Sequence, residues 1–270
     1  MREWTAVAVA VMTCVGAAFA AAIAFGAGSA VAAESADCAV AAHLAVAEYP
    51  LPRVAAAMDQ AGGLDILVMG AGSSTLAGPG GADLAYPAQL QAALSKRSPA
   101  LKIKVATNVR TRRSAAEMVE GFEKLLMEQK PALVVWQSGT VDAITGVDPE
   151  EYRLTLEEGV EKLRGGGADV IFMNMQYSPR TESMIAIQAY ADNMRLVAHQ
   201  LEVPLFDRLA VMRQWSELGT FDLTGATKKL ETAARIHQCI GELLADLVLD
   251  GVKIAREQAN PPNSSPAPSR

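Results

Sequence analysis

The chain has 270 residues, a formal net charge of −6 and three cysteines. That length suffices for one α/β domain with a full core, or at most two small ones. The acidic balance argues against nucleic acid as a partner, and the lack of any CxxC or Cys/His cluster argues against a structural zinc or other metal site.

Residues 4–33, WTAVAVAVMTCVGAAFAAAIAFGAGSAVAA, are almost wholly apolar or small, with Arg2 before them and Glu34 after. Val31-Ala32-Ala33, or Ala30-Val31-Ala32, supplies the small-residue pattern of a signal-peptidase site, so residues 1–33 read as an export signal. The alternative is an uncleaved N-terminal anchor, because the run is long enough to span a bilayer. On the first reading the mature protein is periplasmic or secreted, without stable membrane insertion. Cleavage removes Arg2 and Glu3 together and leaves the charge at −6. Cys14 leaves with the leader, so Cys38 and Cys239 remain. Two thiols in an oxidising compartment can pair, which would tie the mature N-terminus to the last helix. The alternative is two buried, unpaired cysteines.

Residues 37–60 read as short helical pieces broken by Pro50 and Pro52. An alternation then begins. Strands are expected at Leu64–Met69, Leu101–Ala106, Ala132–Trp136, Ala168–Met173 and Val203–Phe206, each a short apolar or β-branched run bounded by Gly, Pro or polar residues. Between them lie AYPAQLQAALSKR, SAAEMVEGFEKLLMEQ, DPEEYRLTLEEGVEKLRGG and TESMIAIQAYADNMRLVAHQ, whose apolar positions recur at three and four, as in helices packed on a sheet. A long helical pattern, Ala226–Glu257, closes the domain. The remainder, 258–270, is Pro/Ser-rich and expected to be disordered. Residues 34–257 therefore form a single α/β domain, a three-layer α/β/α sandwich around a five-stranded parallel sheet. Ligands bind such sheets beyond the carboxyl ends of the strands. Any site should come from the loops after Met69, Ala106, Trp136, Met173 and Phe206.

The first of these loops is GAGSSTLAG, Gly70–Gly78. It lacks the spacing of a dinucleotide fingerprint and the Gly-Lys-Ser/Thr of a phosphate loop, so no cofactor is expected. What remains is a serine at a strand-to-loop turn, backed by small residues that permit close approach. The loop resembles the first block of the SGNH (GDSL-type) hydrolases. Aligning Ser-x-Thr places the nucleophile on Ser73, with Thr75 two residues on, Ser74 between them and Gly72 in place of the usual Asp. AYPAQLQAAL resembles that family's Tyr-Pro-x-x-Leu helix start. LVVWQSGTVDAITGVDPEEYR resembles its strand ending in Gly-Thr-Asn-Asp, and VPLFDR fits the lead-in to its last helices. The similarity spans roughly residues 64–250 and implies a flavodoxin-like SGNH-hydrolase fold and an activity on esters.

The resemblance also implies an oxyanion hole from a second-block Gly and the third-block Asn, and a base from an Asp-x-x-His near the C-terminus. Here the third block reads Gly139-Thr140-Val141-Asp142, and valine has no side-chain donor. In TNVRTRRSAAE the Gly position falls on Arg110 or Arg112. The Asp-x-x-His positions fall on Lys228 and Glu231, or, with the alignment slid, on Asp222 and Gly225. Of the three histidines, His43 precedes the sheet, His199 sits at the wrong sheet end, and His237 lies about two turns beyond the family position. His237 is the candidate base, with helix packing as its alternative. Arg110, Arg112 and Arg113 could hold an anion or replace the missing oxyanion donors, or form a solvated helix start. Asp142 could orient a catalytic partner or cap the next segment. Gln176, Tyr177 and Arg180 could line the pocket, or belong to an ordinary Ser-Pro turn.

Two functions follow. One is an exported SGNH-type esterase that acts through Ser73 on a small-molecule or glycan ester. The other is a catalytically impaired relative serving as a periplasmic binding or assembly module. Fold alone does not choose between them.

Overall fold

The structure, a computed structural model, describes residues 38–60, 62–224 and 230–261. The leader with Cys14, the residues Gly225 and Lys228, and the tail beyond 261 lie outside the described residues.

Five strands form one all-parallel sheet: β1 (Gly63–Gly70), β2 (Lys102–Val109), β3 (Leu133–Gln137), β4 (Asp169–Met173) and β5 (Leu205–Phe206). The order across the sheet is β2-β1-β3-β4-β5. Burial explains who sits in the middle. Every residue of β3 and β4 is buried, as central parallel strands require, whereas β2 buries only Ile103 and exposes Lys102, Lys104 and Thr107. The sheet is the expected one, with shifted ends. β2 runs three residues beyond Ala106, because Thr107, Asn108 and Val109 pair with Val68, Met69 and Gly70. β5 shrinks to two residues, paired with Phe172 and Met173.

Helices cover both faces. On one lie α1 (Pro52–Gln60), α3 (Tyr86–Arg97, preceded by the short α2, Gly81–Leu84) and α11 (Leu230–Ala259). On the other lie α4 (Ala115–Val119), α5 (Phe122–Gln129), α7 (Pro149–Gly165) and α9 (Gln188–Gln200). Two helices expected to be continuous are divided. Gly121 separates α4 from α5, and Ile185–Ile187 separates α8 (Pro179–Met184) from α9. The expected helix start at Ala226 falls outside the described residues, and α11 ends at Ala259, two residues past the expected Glu257 and inside the segment expected to be disordered.

The core explains these placements. The Trp136 indole packs edge-on to Phe122 at 4.9 Å and against Phe172 at 5.6 Å, and its N–H donates to the Met118 thioether, so one β3 residue ties α4 and α5 to the sheet. The buried Asp169 carboxylate accepts from the backbone N–H groups of Arg53 and Val54, at 2.8 and 3.0 Å, and caps α1 below β4. Against α3, Gly241 lets α11 approach closely. A Cβ there would stand 2.8 Å from the backbone of Gln89 and Leu90. Backbone cannot swing aside, so Gly241→Ala is expected to cost about 1–3 kcal/mol and lower Tm by roughly 3–10 °C. Thermal unfolding followed by circular dichroism checks this, and an unchanged Tm would mean that the helices separate freely.

Cys38 and Cys239 are joined in a disulfide, with Cα atoms 5.1 Å apart. It links the segment before α1 to α11, the pairing that the cysteine count allowed.

Candidate active site

The strand order turns back at β1, whose neighbours are β2 and β3, so the switch point lies between the carboxyl ends of β1 and β3. β1 delivers Ser73 and Ser74 there in a single 3₁₀ turn, Gly72–Ser74. β3 delivers Gln137, its last residue, which is fully buried. The Gln137 Oε1 accepts from the Ala71 backbone N–H at 3.1 Å and from the Ser74 hydroxyl at 2.9 Å, with the Ser73 hydroxyl at 3.4 Å. The Ala71 N–H is an obligate donor and fixes which way the amide faces. Ser74 is buried and accepts from the Tyr86 hydroxyl at 2.9 Å. The two serines thus differ in role: Ser74 is locked inside the turn, whereas Ser73 is half-buried and lines a cavity. The small residues behind them have a steric reason, since a Cβ on Gly70 would stand 2.2 Å from the Ser74 Oγ.

That cavity has a volume of about 360 Å³. Its walls come from Ser73, Thr75, Gln176, Tyr177, Arg208 and His237, completed by apolar side chains such as Met212 and Ile236. His237 is 5 % exposed, and its Nδ1 accepts from the Tyr86 backbone N–H at 3.0 Å. Burial, with the nearby Arg208 charge in support, pushes its pKa down to about 3. The imidazole is therefore neutral at pH 7, and with Nδ1 accepting, the proton sits on Nε2. Tyr86 joins the parts together. Its backbone holds His237, its hydroxyl holds Ser74, and its ring lies 5.7 Å from the Arg208 guanidinium. Burial raises the phenol pKa to about 12.

Arg208 opens α10 (Arg208–Glu217), directly after the N-cap Asp207. Asn174, buried at the end of β4, donates to the Asp207 carboxylate at 2.7 Å and accepts from the Leu209 N–H at 2.9 Å. This clamp sets the start of α10 and hence the Arg208 position. The guanidinium is 1 % exposed and donates to the Ser73 carbonyl at 3.0 Å and to the Gln176 Oε1 at 3.3 Å.

Other candidates sit elsewhere. Asp142 does not line the cavity. Its carboxylate is buried, accepts from the backbone N–H groups of Ala115 and Gly139 at 2.9 and 3.2 Å, and so caps α6 (Thr140–Thr145) and holds the start of α4. Burial raises its pKa. Gly139, Thr140 and Val141 also lie outside the cavity wall, and Val141 packs against the core. Arg110 and Arg112 are exposed and do not line it. Arg113 turns back onto Asn108 and the Glu117 carbonyl. Arg112 nonetheless has φ of 58°, the left-handed conformation that glycine adopts without cost, so this position keeps a glycine's backbone with an arginine side chain. Gly72, Gln176 and Tyr177 line the cavity, whereas Arg180 is exposed. Glu231 is exposed on the first turn of α11. Among the described residues no group of His, Cys, Asp and Glu side chains is arranged to hold a metal ion.

A doubly covered parallel sheet that presents a serine at the tip of β1, beside its switch point, defines the SGNH-type hydrolase fold. Within that class the chain belongs to the non-GDSL lipase-like family, which it matches over residues 37–254. Solved structures agree on the fold. TesA aligns with a TM-score of 0.54 at 24% identity, over 68% of this chain and 99% of its own. LAE5, an alpha/beta hydrolase enzyme from the metagenome of Lake Arreo, Spain, gives 0.52 at 18%, over 69% and 96%. A catalytic mutant of Axe2, an acetylxylan esterase from Geobacillus stearothermophilus, gives 0.54 at 18%, over 70% and 94%. No curated protein matches the chain.

Proposed function

We propose that the protein is an exported serine ester hydrolase that acts through Ser73 on ester-linked acyl groups of a small molecule or glycan. The observation that carries this reading is Ser73 itself, held at the β1 tip on a cavity it shares with His237. In the reaction the Ser73 hydroxyl attacks the acyl carbon, the alcohol leaves with a proton, and water cleaves the acyl-serine to release the acid. Export is supported by the leader pattern and by the disulfide, which belongs in an oxidising compartment.

The activation of Ser73 is weak. A carboxylate on Nδ1 would leave Nε2 free to take a proton, whereas the Tyr86 N–H on Nδ1 makes Nε2 the donor. His237 must change tautomer before it can serve as a base. That bond also favours the second reading, a binding module with residual chemistry only.

Incubating the mature protein and Ser73→Ala with a fluorophosphonate probe and p-nitrophenyl acetate separates the two. Labelling and turnover present in the wild type and lost in the variant are expected for the enzyme. Equal indifference of both proteins refutes it and leaves the binding module.

A further inference from the structure

Arg208 is a buried cation at the start of α10. Among the described residues no carboxylate pairs with it, and its hydrogen-bond partners are two neutral oxygens, the Ser73 carbonyl and the Gln176 amide. Its Nε is buried and has no hydrogen-bond partner among the described residues. Burial lowers its pKa only to about 10, so the group stays charged at neutral pH. A buried, unpaired charge is costly, and natural proteins normally supply a partner. Here Arg208 lines a cavity that has no acidic residue among its described lining and whose histidine is neutral.

We propose that this cavity binds a carboxylate, with Arg208 as its counter-ion, so that the preferred substrates are esters carrying a carboxylate close to the scissile bond, such as half-esters of dicarboxylic acids. One guanidinium balances one negative charge, which suits a carboxylate better than a phosphate dianion. Gln176 marks the place. It lines the cavity, is half-buried, and accepts from Arg208 at 3.3 Å, a long bond to an uncharged acceptor. A carboxylate oxygen makes a shorter, charge-assisted bond to the same nitrogen and displaces the amide. The cavity's apolar side, Met212, Leu223 and Ile236, receives the carbon chain between carboxylate and ester. The carboxylate site stands on Arg208 alone; its use in choosing substrates rests on the esterase reading.

The test compares monomethyl succinate with dimethyl succinate, which differ by one charge and little in shape, by calorimetric titration at low ionic strength. The monoester is expected to bind the wild type at least about tenfold more tightly than the diester. Gln176→Glu should supply the missing counter-charge from within, raising Tm and abolishing the preference without deleting a buried group. Arg208→Lys should keep a weakened preference, and Arg208→Met, if circular dichroism shows it folded, should lose it. Equal affinity for the two esters in the wild type overturns the proposal, as does an undiminished preference in Gln176→Glu. Fluorophosphonate labelling of Ser73 is scored separately. Carboxylate binding without labelling retains this site and removes the esterase, whereas labelling without carboxylate preference does the reverse.

Discussion

Replacing Cys38 and Cys239 together by alanine lowers the melting temperature by roughly 10 °C or more. The bridged residues are 201 apart in sequence, so the cross-link restricts nearly the whole unfolded domain. In the chain-entropy limit a loop of that size corresponds to about 5 kcal/mol, and each kcal/mol moves Tm by roughly 2–4 °C in a domain of this size. Both cysteines are buried, at 1% and 0% exposure, and alanine leaves no unsatisfied polar atom in either place. Because the bridge meets α11 two residues after His237, its loss also loosens one wall of the cavity. Calorimetry of the wild type and the double variant decides the matter. A double variant melting within about 3 °C of the wild type would show that packing of α11 on α1 and α3 suffices without the cross-link.

Acid is expected to destabilise the protein through His237. Its pKa is about 3 in the folded state against 6.5 for the free side chain. Between those values the unfolded chain binds the extra proton, so stability is complete above pH 6.5 and falls as pH drops towards 3. The slope is about 1.4 kcal/mol per pH unit, and the loss over the whole interval is on the order of 4 kcal/mol. Asp142 and Asp169 act in the opposite sense. Burial raises their pKa values, so their protonation in acid relieves a cost. The measurement therefore compares urea unfolding of the wild type with His237→Asn, whose amide oxygen can still accept from the Tyr86 N–H but cannot titrate. Both aspartates cancel in the difference. The stability of the variant relative to the wild type is expected to rise by about 2 kcal/mol or more from pH 7 to pH 4.5. A constant gap would mean that the imidazole is solvated in the native protein.

The strands were legible because a buried parallel strand has to be a short apolar run, and here each one is bounded by Gly, Pro or polar residues. Their ends were not. Thr107–Val109 read as loop from side chains alone, and they join β2 through backbone pairing with β1, which leaves no mark on composition. The serine was legible too, since a turn that must pass so close to its own strand needs Gly70. Gln137 and Arg208 were missed for a common reason. Each ends or begins an element, where a polar residue ordinarily marks the return to solvent. Only the strand order, which folds residues 73, 137 and 208 onto one edge of the sheet, turns them inward. The position of Arg208, just past the fifth strand at the ligand-binding edge, was the available signal. Asp142 illustrates the converse. Its sequence context left two roles open, orienting a catalytic partner or capping the next segment, and its surroundings supply two backbone donors to be capped.

The two edge strands of the sheet are unequal, and they differ in how much open backbone they offer to another chain. An edge strand offers open hydrogen-bonding groups to any passing chain, and long, flat, apolar edges template aggregation. β5, only two residues long, offers almost nothing to copy. β2 is eight residues long and outermost, so it carries the whole hazard. It answers with exposed Lys102 and Lys104, whose charges repel a second copy of the same strand. It also has Gln91, reaching down from α3 to accept the Val105 N–H at 2.8 Å. A single side-chain amide thus takes up one of the backbone donors that a sixth strand would use, at the lateral edge of the sheet rather than at the carboxyl end where the cavity lies.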